Sequence, residues 1–111
     1  MSKLEKKNLS QPDTVNQLDH MKVESFSIGD LKVNKHTAEK GWRWTQCVGP
    51  VVGTESCQMQ HTLYVLSGIM GIKMDDGQEL EFGPGDLGNI PPGHDGWNAG
   101  DEALIWLEFL H

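Results

Sequence analysis

Turn-forming residues interrupt this sequence so often that they leave little room for a long helix. Thirteen glycines and five prolines occur among its 111 residues. They separate short segments in which apolar and polar residues alternate. Alternation with a period of two is the pattern of a β-strand that buries one face. Short strands separated by glycine and proline predict an all-β barrel or sandwich.

Seven segments carry the strand pattern, and a polar stretch precedes them. The predicted strands are residues 21–28, 31–38, 41–48, 55–68, 69–74, 78–82 and 103–110. An Asp-Asp-Gly turn at 75–77 predicts a hairpin, and four side chains of that hairpin are expected inside: Met70, Ile72, Leu80 and Phe82. Residues 1–20 are polar and aperiodic, which predicts a flexible or loosely docked arm. Residues 21–111 are then a single barrel domain.

Charge is distributed unevenly along the chain. Residues 1–44 contain eight of the nine basic residues and six acids, whereas residues 45–111 contain Lys73 alone against ten acids. Such an acidic body disfavours nucleic acids and anionic membranes as partners. No apolar run approaches the roughly 20 residues of a membrane helix, and the first residues lack the apolar region of a signal peptide. We therefore expect a cytoplasmic protein in which Cys47 and Cys57 are reduced thiols.

The predicted strand 55–68 carries polar groups on the face expected to point into the core. Glu55, Cys57 and His61 share the parity of the apolar residues Leu63 and Val65. Burying a carboxylate, a thiol and an imidazole without partners is unfavourable, and a divalent cation would offset that cost. A thiolate with an imidazole suits zinc or another borderline-soft metal. We predict Cys57 and His61 as metal ligands, and Glu55 as a fourth ligand or a general base.

Two segments resemble the paired motifs of the cupins, small jelly-roll barrels that usually hold one metal ion. The second cupin motif is a glycine, five residues and then Pro-x-Gly-x-x-His, and the segment 85–96 reads Gly-Asp-Leu-Gly-Asn-Ile-Pro-Pro-Gly-His-Asp-Gly. The first motif is His-x-His, three or four residues, Glu, six residues and Gly. Here Gly68 ends the pattern at the matching distance from His61, with Cys57 and Glu55 upstream at the His-x-His spacing.

The ligand set departs from the usual cupin pattern. Glu55 and Cys57 replace the two histidines of the first motif, His61 replaces its glutamate, and Gly96 replaces the last histidine. The resemblance implies a jelly-roll barrel, and it implies that His94, in the loop that delivers the last ligand of the family, is the third ligand. Three protein ligands would leave a position for water or substrate. Zinc is favoured because of the thiol, and iron, nickel or manganese remain possible.

Aromatic residues are the other candidates for a site. Trp42, Trp44 and Trp97 are predicted to wall an apolar substrate pocket, although packing in the core and at the barrel mouth is the commoner reason for tryptophans in such a chain. Arg43 is expected to form a surface ion pair. The histidines outside the predicted ligand set are assigned no role: His20, His36 and His111.

The sequence leaves the function open among three classes. The first is a cupin that binds a divalent metal and acts on a small molecule, and whether it is an enzyme is undecided. The others are a non-catalytic module that senses or binds a metal or a small effector, and a metal-free barrel. A barrel of this size leaves sheet edges that a partner subunit commonly covers, so we expect a homodimer.

Overall fold

The computed structural model describes residues 3–110, which form nine β-strands and two short helices. In chain order the strands are β1 (Thr14–Leu18), β2 (Met21–Ile28), β3 (Leu31–Ala38), β4 (His61–Ser67), β5 (Met70–Met74), β6 (Glu79–Phe82), β7 (Leu87–Ile90), β8 (His94–Asn98) and β9 (Leu104–Leu110). The helices are α1 (Trp44–Cys47) and α2 (Gly49–Val52). Residues 1, 2 and 111 lie outside the described residues. They are the first two residues of the predicted arm, 1–20, and the last residue of the predicted barrel domain, His111.

The strands form two antiparallel sheets. One sheet has six strands in the order β1-β2-β3-β9-β4-β7, and the other has three strands in the order β6-β5-β8. The core contains side chains from both sheets and from the segment between β3 and α1: Met21, Ala38, Trp42, Leu63, Val65, Met70, Ile72, Ile90, Leu104 and Trp106. The prediction of an all-β jelly-roll barrel is confirmed.

Part of the predicted arm is a strand of the larger sheet. β1, within residues 1–20, pairs with β2 from Thr14 opposite Ser25 to Leu18 opposite Met21. All five of its residues are exposed, so backbone hydrogen bonds to one neighbouring strand are its main attachment. The rest of the segment that is described, residues 3–13, contains no strand.

The 75–77 hairpin forms as predicted, but one of its four predicted core residues is outside. Gly77 has a φ of 99°, which glycine adopts without steric cost. Met70 and Ile72 are buried and Phe82 is half-buried, whereas Leu80 is 65% exposed. Leu80 points to the same face as Ile72, its partner in β5. The prediction for Leu80 was wrong because β6 is an edge strand of the smaller sheet, so its side chains lie at the margin of the core.

Residues 41–48, predicted as a strand, instead lead into the two helices. Trp44, Cys47 and Val48 all pack against the core, and their spacing of three and four residues is that of one helix face. The carboxylate of Asp95 accepts a hydrogen bond from the backbone N–H of Thr45 at 3.1 Å, which fixes the start of α1. None of the helices in residues 3–110 is long and apolar enough to cross a membrane.

The predicted strand 55–68 begins only at His61. Before it, the backbone of Cys57 pairs with β8: its N–H donates to the carbonyl of His94 at 2.7 Å, and its carbonyl accepts from the N–H of Gly93 at 2.7 Å. Residues 58–60 then cross from the smaller sheet to the larger one. Met59, on the face predicted to be buried, is therefore 62% exposed.

Candidate metal centre

Three of the residues predicted as metal ligands converge on one point between the two sheets. Cys57 comes from the loop that pairs with β8, His61 from the start of β4 and His94 from the start of β8. One ligand atom from each residue lies within 4.8 Å of the other two. Cys57 and His94 are each 3% exposed, so these donors face one another with little access to bulk water.

Each histidine has an oxygen acceptor beside its Nδ1 atom, so Nε2 is the ring nitrogen that can bind a metal. His94 Nδ1 donates to the carbonyl oxygen of Pro91 at 2.7 Å. His61 Nδ1 lies 2.9 Å from Oε2 of Glu108, at an angle bent away from that of a linear hydrogen bond. His61 Nε2 lies 3.4 Å from Sγ of Cys57. Histidines that bind metals have this arrangement, in which a carboxylate or carbonyl holds the second ring nitrogen.

The electrostatics of the site favour charged forms of its groups. Burial alone would raise the pKa of the Cys57 thiol, but hydrogen bonds with His61 and His94 outweigh burial and lower this pKa. Burial alone would lower the pKa of His61, but contacts with Cys57 and Glu108 raise it. Burial would raise the pKa of Glu108, yet the neighbouring His61 keeps it below its ordinary value. The anionic thiolate and carboxylate are the forms to which a cation is attracted.

A cavity of about 220 Å³ adjoins this cluster. Its walls are almost entirely apolar, and the polar groups among them are the three candidate ligands with Glu108, His36 and the tryptophans. The side chains and backbone that line it come from both sheets, α1 and neighbouring loops: Leu18, Met21, Val23, His36, Trp42, Trp44, Val48, Cys57, Met59, His61, Leu63, Met70, Ile72, Ile90, His94, Gly96, Trp106 and Glu108. The exposed members Leu18 and Met59 mark its opening.

Trp42 and Trp44 line the cavity as predicted for pocket residues, whereas Trp97 and Glu55 do not. In β8 the residues at even positions are buried, so Trp97 points to the opposite face, where its ring covers Gly71 and stacks under the guanidinium of Arg43 at 4.6 Å. Arg43 also forms the predicted ion pair, with Asp95 at 2.8 Å. Glu55 is exposed in the loop before the bridge to β8. Nothing in this geometry brings its carboxylate to the cluster.

Two residues of the site went unassigned in the sequence. Glu108 is 8% exposed and lies between two imidazoles, 2.9 Å from Nδ1 of His61 and 3.7 Å from Nε2 of His36. His36 stacks on Trp106 with a centroid separation of 4.6 Å and nearly parallel rings. The sequence could have indicated that Glu108 is buried, because in the last strand it lies on the same face as the buried Leu104 and Trp106.

A second group of potential ligands lies on the surface. Three residues, Asp19, His20 and Cys47, also offer donor atoms within 4.8 Å of one another. The side chains of Asp19 and His20, however, are exposed. Cys47 Sγ is 3.9 Å from Nδ1 of His20. This group lacks the buried partners of the first one, and it supplies the matched control for substitutions there.

Comparison with known proteins identifies the family. The model of the EutQ-like cupin domain matches residues 40–104, which include the whole candidate centre except Glu108 and His36. No curated protein matches the chain.

Solved structures share the fold at low sequence identity. Oxalate decarboxylase from Lactobacillus farciminis, in a formate complex, is 20% identical with a TM-score of 0.63, and the similarity covers 86% of this chain and 30% of that one. A putative ethanolamine utilization protein Q from Salmonella typhimurium is 11% identical with a TM-score of 0.56, covering 80% and 67%. A cupin-2 domain protein from Rhodospirillum rubrum is 19% identical with a TM-score of 0.60, covering 96% and 66%.

These likenesses concern the fold, and the chain spans less than a third of the oxalate decarboxylase that it resembles. The family match, by contrast, covers more than half of the chain and includes both motif segments. This protein is a member of the EutQ-like cupin domain family.

Proposed function

We propose that this cupin binds one divalent metal ion through Cys57, His61 and His94 and uses the site on a small molecule held in the adjoining cavity. The observation that carries the proposal is the state of the two imidazoles. Acceptors beside both Nδ1 atoms, the carbonyl of Pro91 and the carboxylate of Glu108, direct both Nε2 atoms at Cys57. A cation bound there would replace the protons that these rings share with the thiolate, and metal-binding histidines have this arrangement of ring nitrogens.

The donor set supports zinc as the metal. One thiolate sulfur and two imidazole nitrogens are a combination that zinc binds readily, whereas manganese prefers oxygen ligands. Iron and nickel accept imidazole and are the next candidates. The two free thiols of the protein, Cys47 and Cys57, are the form that cysteines keep in the cytoplasm, which supports the cytoplasm as its location.

Three protein ligands support a catalytic rather than a purely structural site. Held by Cys57, His61 and His94, a zinc ion would supply Lewis acidity and would make water a stronger acid at neutral pH. Glu108 would hold the proton on Nδ1 of His61 and orient the ring, and the apolar walls would exclude bulk water. Gly96 supports the same interpretation, because a side chain there would occupy part of the cavity that it lines.

A non-catalytic sensor would use the same residues, and a metal-free barrel would keep them as a hydrogen-bonded cluster. Turnover of candidate substrates by the metal-loaded protein separates the enzyme from the sensor. The similarity to an oxalate decarboxylase concerns the fold and does not indicate which substrate this protein would use.

Metal content tests the proposal. Protein purified without a chelator is expected to contain about one zinc per chain. Cys57→Ala and His61→Ala should each lose the metal on dialysis against a weak chelator, because each removes one of only three protein ligands. Elemental analysis together with the protein concentration gives the stoichiometry.

Cys47→Ala is the matched control for Cys57→Ala. It removes the other free thiol, which belongs to the surface group with Asp19 and His20, and it should keep the wild-type content. Wild-type occupancy in both Cys57→Ala and His61→Ala would contradict the proposed site and favour the metal-free barrel.

We also propose that the protein is a homodimer. The larger sheet ends in β1 and β7, and apolar side chains such as Val15 and Leu87 are exposed on these two strands. Unpaired strand edges with exposed apolar residues are commonly covered by a second subunit. Light scattering should therefore give a mass near twice the 12.4 kDa of the chain. A mass near that of one chain at micromolar concentration would contradict the dimer.

A further inference from the structure

Histidines are the basic side chains that line the cavity beside the candidate centre. Among the residues that the structure describes, neither a lysine nor an arginine lines it, and its one carboxylate is Glu108. Arg43, the basic residue nearest in sequence to Trp42 and Trp44, is paired with Asp95 and stacked on Trp97 outside the lining. A carboxylate that entered this cavity would lose its hydration without meeting a lysine or arginine, which is strongly unfavourable.

Charge balance gives the same result with a metal present. Within the proposed function, the two positive charges of a divalent ion are already matched by the thiolate of Cys57 and the carboxylate of Glu108. In a weakly polar cavity, an additional anion would leave a net negative charge with no partner. The site is therefore balanced for a neutral molecule.

The size and shape of the walls restrict the ligand further. A dry cavity of about 150 Å³ is large enough to bind benzene, so the volume of about 220 Å³ found here suits a molecule with one ring and a small substituent. Trp42 and Trp106 lie with ring centroids 5.9 Å apart and tilted by 50°. Their rings and the aliphatic side chains around them favour an apolar body.

We propose that the ligand of this cavity is a small, neutral and largely apolar molecule, the size of a single substituted ring. The proposal rests on the proposed function in taking this cavity as the ligand site. It excludes small carboxylates as substrates, although a formate complex is among the structures that share the fold.

Three probes of nearly the same shape test the charge preference: benzamide is neutral, benzoate is an anion and benzylamine is a cation at pH 7. Calorimetric titration of the zinc-loaded protein is expected to give benzamide at least tenfold tighter binding than benzoate or benzylamine. Equal or tighter binding of benzoate or benzylamine would overturn the proposal. So would the absence of benzamide binding to protein with one metal per chain, and in that case the proposed metal site would stand.

Discussion

Replacing Glu108 by glutamine is expected to weaken zinc binding by about 10- to 100-fold, although Glu108 is not a proposed ligand. Its Oε2 atom lies 2.9 Å from Nδ1 of His61 and keeps the ring oriented toward Cys57. The carboxylate also makes the imidazole a stronger donor and adds a negative charge beside the cation. Glutamine has nearly the same shape but no charge. Competition with a chelator of known zinc affinity, at a fixed pH near 7.5, measures the effect.

Glu24→Gln is the control for Glu108→Gln. Glu24 is also a carboxylate on a strand, 3.7 Å from Nζ of Lys22 and 4.0 Å from Nζ of Lys35, and it does not line the cavity. Its variant should bind zinc with wild-type affinity. If Glu108→Gln also binds with wild-type affinity while Cys57→Ala does not, the carboxylate has no part in holding the metal.

The strands predicted best from the sequence are those that local turn residues delimit. β2 and β3 have the predicted bounds, with Gly29 and Asp30 between them, and β9 begins one residue later than predicted. Residues 41–48 were predicted wrongly because alternating tryptophans also fit a strand. Their helix is fixed by Asp95, a residue 50 positions away whose contact with Thr45 no local pattern reveals.

The convergence of Cys57, His61 and His94 was predicted partly for an incorrect reason. The alternating pattern predicted Cys57 and His61 on one face of one strand, whereas Cys57 pairs with β8 of the smaller sheet and His61 begins β4 of the larger one. The motif spacing still identified Cys57 and His61, because that spacing matches the number of residues with which the chain crosses from one sheet to the other. Glu108 was missed because the reason to bury a carboxylate, the imidazole of His61, lies on another strand.

Acidification is expected to destabilise the metal-free protein by about 3 kcal/mol between pH 7 and pH 4 through His36 alone. Burial is the main cause that lowers the pKa of His36 from 6.5 to about 4; Glu108 opposes this shift, and His61 adds to it. Below pH 6.5 the unfolded chain therefore takes up a proton that the folded protein does not. The free energy of unfolding falls as the pH drops, until His36 is protonated in the folded state as well.

The other groups that face His36 act differently in this range. His61, whose pKa is raised by Cys57 and Glu108 against the effect of burial, keeps its full contribution to stability below pH 6.5. The pKa values of Cys57 and Glu108 are lowered by contacts that include His61 and that outweigh burial. Their contributions are lost as the pH falls through those values, which adds to the total loss of the wild type. The share of His36 must therefore be isolated by substitution.

The variant His36→Phe isolates the contribution of His36 to the loss of stability in acid, because phenylalanine keeps a flat ring against Trp106 and cannot take up a proton. Urea unfolding of chelator-treated protein at pH 7 and pH 4 should show that this variant loses about 3 kcal/mol less stability than the wild type over the interval. His20→Asn controls for the removal of an imidazole from the surface, since asparagine tolerates the φ of 57° at that turn. An equal loss in His36→Phe and wild type would mean that the buried imidazole is not the acid-sensitive group. Chelation matters for this measurement, because protonation of metal ligands would release the ion and destabilise the folded protein by itself.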